Sequence, residues 1–322
     1  MAIAKIWSAG EWEERFGASG KPTAVTIGNF DGVHAGHQAI LKSVQSNAHG
    51  AGRIGAVLTF HPHPAQVLRP EQAPSLLETI EQRLDRLGEA GMDAAFIARF
   101  SHELASLSPQ EFAEKFLART MRAAVVFVGE NFRFGHRQAG NVDSLRELGA
   151  RLGFAVESVP PVFAEIHGQR VVVSSSAIRA AVREGRMEDA ARLLTRPFTL
   201  AGEIRPGTGT GRKLVVPTLN LATEQETLPK IGVYATETRV AAADYQSVTN
   251  VGMRPTFDGV KLAIETHLFG FSEILTSGAM AIRFRARLRE EKKFSGPHEL
   301  KQQVLRDIEM AKQYFLESPA RV

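Results

Sequence analysis

The amino-acid sequence predicts an α/β protein in two parts: a parallel sheet covered by helices, then a compact antiparallel β-barrel with a closing α-helix. Three observations predict it. Short β-branched apolar runs alternate with amphipathic stretches up to about residue 180, the pattern of strand–helix–strand units. Beyond residue 196 the chain becomes short alternating segments punctuated by Gly, Pro and Thr, as in an antiparallel barrel. A last amphipathic stretch opens on a proline, a residue suited to the first turn of a helix.

The runs of the first part are residues 23–28, 54–60, 94–97, 125–129 and 156–159. Between them lie GHQAILKSVQSNAHG, ETIEQRLDRLGEAG, SPQEFAEKFLART and NVDSLRELGARLG, with Gly or Asn near several ends, where helices start and stop. Parallel strands need such crossovers, and strands buried on both faces read as continuous apolar runs. The helix SSAIRAAVREGRMEDAARLL precedes the change of texture. PFTLAGEIRPGTGTGRKLVVPTLNL is then extended, and TRVAA, QSVTNVGM, KLAIETHLF and GAMAIRFRARL are short strands with turn residues between them. In the tail Leu300, Val304, Ile308, Ala311 and Phe315 fall at helical spacing behind Pro297. The expected division is a domain over 1–184, a linker over 185–196 and a barrel domain over 197–322.

An apolar fraction of 43% supplies a core to each part, and the absence of cysteine excludes disulfides and thiolate metal sites. The N-terminal MAIAKIWSAGEWEERFG has no apolar core of signal-peptide length, and no run approaches the roughly 18 residues that span a bilayer. A cytoplasmic protein with no membrane partner is expected. The net charge of +4, from 39 basic and 35 acidic residues, is mild, and no long basic tract with interleaved aromatics appears. Nucleic acid is therefore not indicated, whereas a small anionic substrate suits the same bias.

TIGNFDGVHAGHQAIL, residues 26–41, sets a glycine-rich polar turn between a strand and a helix. In open α/β sheets, ligands sit beyond the carboxyl ends of the strands. His34 and His37, at i and i+3, share one helix face. The helix start adds unpaired backbone donors and a dipole that favours anions. A phosphate site is the reading these residues favour; a zinc site completed by His61 or His63, and a plain structural loop, stand beside it. Asp31 reads either as a functional carboxylate or as a turn residue bonded to its own backbone.

GNFDGVHAGH resembles the HxGH signature of nucleotidyltransferases and, taken whole, the FMN adenylyltransferase module of bifunctional bacterial FAD synthetases. TFHPHP (59–64), VGENFRFGHRQAGN (128–141) and VSSSAIR (173–179) resemble further segments of that family in the same order. His61 stands where an acidic residue is more usual, and Ser176 replaces the threonine of SSTxIR. The resemblance implies a Rossmann-like nucleotidyltransferase domain, in which the FMN phosphate attacks the α-phosphorus of ATP and pyrophosphate leaves. It implies that His34 and His37 stabilise phosphate charge and that Gly28, Asn29, Phe30 and Asp31 border the nucleotide. Asn131 would lie near the flavin or nucleotide, and Ser175, Ser176 and Arg179 would hold the β and γ phosphates. An arginine fork fits phosphate oxygens, although a serine before a helix is also an ordinary N-cap and an arginine can be a solvated charge.

A second constellation is RPGTGTGRKLVVPTLNL, residues 205–221, a glycine-rich turn followed by a strand. Thr218 and Asn220, at i and i+2, project from one strand face. Their oxygens suit Mg2+, which takes few protein ligands beside phosphate oxygens and water. No GxxxxGK[ST] loop is present. This half resembles riboflavin kinase in PTLN, PKIGVY (229–234), NVGMRPTF (250–257), IETHL and LREEKKF (288–294). The resemblance implies that Thr218 and Asn220 hold magnesium and ATP, with Gly207, Gly209, Gly211 and Lys213 along the nucleotide and Arg289 at the flavin. Glu265 would accept the proton of the riboflavin 5′-hydroxyl as it attacks the γ-phosphorus. Alternation sets Glu265 on the opposite strand face from Ile264 and Leu268. The chain departs from the family in VVPTLN, where GFPTAN is usual, and in EILTSG (273–278).

The expectation is a bifunctional enzyme of FAD biosynthesis that uses ATP, Mg2+, riboflavin and FMN, as a monomer or weak homo-oligomer. Its rivals are an adenylyltransferase with a degenerate flavin-binding kinase domain, and a non-catalytic flavin-binding or RNA-binding regulator. A class I aminoacyl-tRNA synthetase fragment would share HxGH, but no KMSKS-like lysine loop or anticodon-binding region is present.

Overall fold

The computed structural model describes residues 2–206, 216–256, 259–273, 275–292 and 294–317. They fall into two compact units, Met1–Ser175 and Ser176–Val322.

In the first unit β1 (Ala4–Ile6), β2 (Thr23–Ile27), β3 (Ile54–His61), β4 (Ala94–Arg99), β5 (Ala123–Gly129) and β6 (Ala155–Val159) form one sheet. Its order is β1-β4-β3-β2-β5-β6 and every pairing is parallel. Side chains alternate between its two faces. On one face Val25, Ile27, Leu58, Phe96, Val126 and Val128 pack against α1 (Ala9–Phe16), α6 (Pro109–Phe112, running on as a π-helical stretch Ala113–Thr120) and α7 (Val142–Leu152). On the other Ala24, Val57, Ala95, Ile97, Val125 and Phe127 pack against α2 (Ala35–Ala51) and α4 (Ile80–Glu89). The short helices α3 (Pro64–Leu68) and α5 (His102–Ser106) lie in the connections.

The strand order places the site. From β2 the chain crosses through α2 to β3 on one side, and from β5 it crosses through α7 to β6 on the other. The two adjacent strands thus send their connections apart and leave a crevice at their carboxyl ends, where doubly wound sheets bind ligands. Gly28 and Gly129 mark its two sides. A hairpin the sequence did not announce, β7 (Phe163–Ile166) and β8 (Gln169–Val172), follows the sheet. Its turn residues His167 and Gly168 have φ of 50° and 75°, the left-handed pair that a tight hairpin needs.

The boundary between the units falls inside α8 (Ser175–Glu184), and the residues expected to form a linker carry another helix, α9 (Met187–Leu194), which buries Met187, Leu193 and Leu194. The barrel follows: β9 (Phe198–Arg205), β10 (Leu219–Ala222), β11 (Gly232–Val240), β12 (Ala243–Thr256), β13 (Gly259–Leu268) and β14 (Ala279–Arg289). It closes in the order β10-β13-β12-β11-β14-β9, which leaves no open edge. The segment TRVAA ends β11 and turns into β12 rather than standing as a strand of its own. The closing helix, α10 (Pro297–Glu317), packs Ile308 and Ala311 on Val233, Ala235 and Val248.

Residues alternating with those three point into the barrel. Tyr234, Ile282 and Phe284 fill part of it, but Thr236, Thr238, Ser247, Thr249 and Thr266 are also fully buried there. Their hydroxyls bond one another across β11, β12 and β13: Thr236 to Ser247 (2.8 Å) and Thr249 (2.7 Å), Thr238 to Ser247 (2.8 Å), and Thr249 to Thr266 (2.9 Å). Buried hydroxyls are tolerated because each finds a partner.

Candidate active sites

The N-terminal site begins where β2 stops. The Gly28 N–H still donates to the Leu58 carbonyl at 3.1 Å, tying the strand end to β3. The chain then turns sharply, with left-handed φ at Phe30 (52°), Gly32 (86°) and Val33 (36°). A non-glycine residue held there costs of order 1–3 kcal/mol, and a β-branched valine is among the rarest occupants. Surrounding bonds hold the turn. Ser175 Oγ donates to the Asp31 carbonyl (2.8 Å) and Gln38 Nε2 to the Val33 carbonyl (3.0 Å). Phe30 is buried, its ring 5.0 Å from that of His37.

Asp31 is 2% exposed and both its carboxylate oxygens accept the Leu77 N–H, at 2.9 and 3.2 Å. It faces the buried Arg83, whose pKa is lowered by burial while Asp31 and Glu78 oppose that shift. The carboxylate is thus directed into the protein. Asp31→Ala would strand the buried Leu77 N–H, and chemical denaturation should show a loss of roughly 1–3 kcal/mol. Unchanged stability would contradict this anchoring.

His34 is the N-cap of α2, and its Nδ1 accepts the His37 N–H at 3.3 Å. A neutral imidazole that accepts at Nδ1 carries its proton at Nε2, so the donor of His34 is Nε2–H. The His34 and His37 rings stack at 3.7 Å with 17° between planes. Gly36 leaves room beside that stack, since a Cβ there would lie 3.2 Å from His34 Cε1 and press on the ring. Two imidazoles and the orphan N–H groups of a long helix therefore gather at one end of the crevice.

The zinc alternative finds no ligand set: among the described residues no group of three or more His, Asp or Glu side chains could hold a metal. His61 stands edge-on to Trp7 at 6.0 Å, and burial followed by the nearby Arg83 lowers its pKa below the usual 6.5, favouring the neutral ring. His63 caps α3 and reaches Asn29. Asn131 sits in an exposed turn just beyond β5, where the Phe132 N–H donates to the Gly129 carbonyl at 2.9 Å. Ser175 opens α8, and Ser176 and Arg179 follow within its first turns. Arg179 is 9% exposed, so the solvated-charge reading does not apply to it.

On the barrel the site is a row across three strands. Asn220 on β10 pairs in register with Glu265 on β13, and Glu265 pairs with Asn250 on β12. All three point outward, because Leu219, Thr266 and Val251 beside them are buried. Thr218, exposed, precedes Asn220 by two residues. His267 shares the outer face with Glu265, and its Nδ1 lies 2.8 Å from the Pro217 carbonyl, anchoring the PTLN segment to β13. Glu291 lies over Gly252 beside Asn250, in the space a Cβ at 252 would take. Asn250, His267 and Glu291 were not singled out from the sequence, although NVGMRPTF, IETHL and LREEKKF contain them. Gly207, Gly209, Gly211 and Lys213 lie outside the described residues.

Arg289 is held by the closing helix. Its Nε and Nη2 donate to Asp307 Oδ1 and Oδ2 at 2.7 and 2.6 Å, and its Nη1 donates to the Glu290 carbonyl. Asp307 is 3% exposed and also accepts from Gln303 at 2.9 Å. This bidentate pair pins α10 to the end of β14. Arg289→Met should lower the unfolding free energy by roughly 3 kcal/mol, because it strands a buried carboxylate. A melting curve superimposable on wild type would refute that.

Two family models cover the chain in tandem, FAD synthetase over residues 18–177 and riboflavin kinase over residues 194–315. With the fold they define the class, a two-domain transferase of flavin nucleotides. Curated relatives described as bifunctional riboflavin kinase/FMN adenylyltransferase occur in Pseudomonas fluorescens (36% identical, 89% of this chain and 91% of the relative) and Escherichia coli K12 (33%, 92% and 94%). Another, from Haemophilus influenzae, is 32% identical over 91% of this chain and 94% of its own. The chain belongs to the family of bifunctional riboflavin kinase/FMN adenylyltransferases. It is also similar to a crystal structure described as a macrolide-efflux protein from Streptococcus pneumoniae, with TM-score 0.84 and 26% identity over 97% of this chain and 99% of that one. Among the described residues no helix is long and apolar enough to cross a membrane.

Proposed function

We propose that this chain makes FAD in two ATP-dependent steps, phosphorylating riboflavin to FMN on the barrel and adenylylating FMN at the parallel sheet. The observation that carries the reading is the register that pairs Glu265 with Asn220 on the barrel; a carboxylate and an amide oxygen so placed would face one phosphoryl group of bound ATP. The efflux description of the structural neighbour has no counterpart in this site. Residues 1–184 are assigned to adenylyl transfer, 197–322 to the kinase and 185–196 to the connection.

In the kinase step the riboflavin 5′-oxygen bonds to the γ-phosphorus, the bond to the β-phosphate oxygen breaks, and ADP leaves. Glu265 accepts the hydroxyl proton. Thr218 and Asn220 offer neutral oxygens of the kind Mg2+ binds, and would hold it where it offsets charge on the phosphates. In the second step an FMN phosphate oxygen bonds to the α-phosphorus of ATP as pyrophosphate departs. No protein nucleophile takes part, so positioning and electrostatic stabilisation must lower the barrier. His34 donates from Nε2 and His37 lies stacked beside it at the helix start. Gly28, Asn29 and Asn131 border the crevice, Phe30 and Asp31 hold the turn, and Ser175, Ser176 and Arg179 take the β and γ phosphates. The enzyme works in the cytoplasm as a monomer or weak homo-oligomer.

The test is to incubate the protein with riboflavin, ATP and Mg2+ and resolve FMN and FAD over time. FMN should rise first and FAD after it. Turnover of supplied FMN but never of riboflavin would remove the kinase assignment, and turnover of neither would remove both.

A further inference from the structure

Contacts at both ring nitrogens of His63 bear on where its proton sits. His63 is the N-cap of α3, and its Nδ1 accepts the Ala65 N–H at 3.1 Å. Its backbone N–H is held in turn by Gln66 Oε1 at 3.1 Å, so the ring sits in a reciprocal cap. Its Nε2 lies 3.0 Å from Nδ2 of Asn29, at the carboxyl end of β2, so two nitrogens face each other and only one of them can bring a hydrogen. An imidazole whose Nδ1 accepts has its proton on Nε2. Nε2–H is then a donor, and the Asn29 NH2 group cannot face it. The two ends of a carboxamide are distinguished only by their partners. With the Ala65 N–H on Nδ1, the consistent assignment exchanges the two ends of the Asn29 amide, so that Oδ1 accepts from His63 Nε2–H and the NH2 points to the other side.

Resting on the adenylyltransferase reading above, we infer that His63 is a positioning residue for that step: its Nε2–H orients the Asn29 carboxamide so that the NH2 group donates to a phosphoryl oxygen of the bound nucleotide. Asn29 is half-buried beside the turn that carries His34 and His37. Thr59 Oγ1, on the neighbouring strand, donates to its carbonyl at 3.4 Å. Backbone and side chain are thus both restrained from β3 and the segment after it, and a donor aimed in advance at developing charge stabilises a transition state more than a free one.

Two variants separate this role from capping. Asparagine is a favoured N-cap and keeps the acceptor for the Ala65 N–H, but is too short to reach Asn29. Glutamine can place an NH2 near the position of Nε2 while giving up the better cap. The measurement is steady-state adenylylation of supplied FMN by wild type, His63→Asn, His63→Gln, Asn29→Ala and Asn29→Ala/His63→Asn, with riboflavin phosphorylation as the internal control. His63→Asn should melt near wild type yet lose about 10- to 100-fold in kcat, with KM for ATP and FMN little changed. His63→Gln should recover most of that kcat at a lower melting temperature. The double variant should be no slower than Asn29→Ala alone, because the histidine acts only through the amide. Equal kcat for wild type and His63→Asn, or losses that multiply in the double variant, would overturn the inference while leaving the adenylyltransferase reading intact. A wild-type protein that makes no FAD from FMN would overturn both.

Discussion

With His37 replaced by alanine, the protein should convert riboflavin to FMN and stop there. The imidazole stacked on His34 at the start of α2 is expected to act on charge that develops as the phosphate of FMN meets the α-phosphorus. Losing one such preorganised donor costs about 10²–10³ in kcat, and no protein nucleophile exists to compensate. The substitution also spares the cap, since His34 accepts from the backbone N–H of residue 37 and not from its side chain. A time course with riboflavin and ATP should therefore show FMN accumulating to completion. Undiminished FAD formation would place the catalytic charge stabilisation elsewhere.

Glu265→Gln should produce the opposite pattern. Glutamine keeps the size of the side chain and one acceptor oxygen but cannot take the proton of the 5′-hydroxyl, and general-base contributions are typically worth about 10²–10⁴. Riboflavin should go almost unconsumed, while supplied FMN is converted to FAD at the wild-type rate. Because Glu265 lies on an outer barrel face, flanked by Asn220 and Asn250, melting should change little. If the variant phosphorylates riboflavin normally, Glu291, beside Asn250, is the next carboxylate to test.

Much of the fold was readable because period-2 and period-3.6 patterns survive burial. Val25, Val57, Phe96 and Val126 sit in strands expected from their apolar runs, and the barrel strands follow their alternation. What escaped was short or peripheral. β1 has only three residues at a sheet edge, and the strands of the β7–β8 hairpin have four each, too few to show a period. For the sites, spacing identified His34 and His37 as neighbours but could not say that His34 would use Nδ1 as a cap. Nor could it say that Asp31 would turn inward to Leu77, or that the guanidinium of Arg289 would be taken by Asp307, 18 residues away. Long-range partners of this kind depend on which elements meet, and no local pattern encodes that.

The buried hydroxyls of the barrel have a consequence for its outer surface. A purely apolar lumen tolerates strand slippage by two residues, because every side chain keeps its face. Here such a slip between β12 and β13 would separate Thr249 from Thr266 and break the bond between two buried hydroxyls. It would also bring Ala263 or His267 opposite Asn250 in place of Glu265. The inner seam therefore acts as an alignment gauge: it makes one registration of the strands far cheaper than its neighbours, and that registration is the one that assembles the outer row.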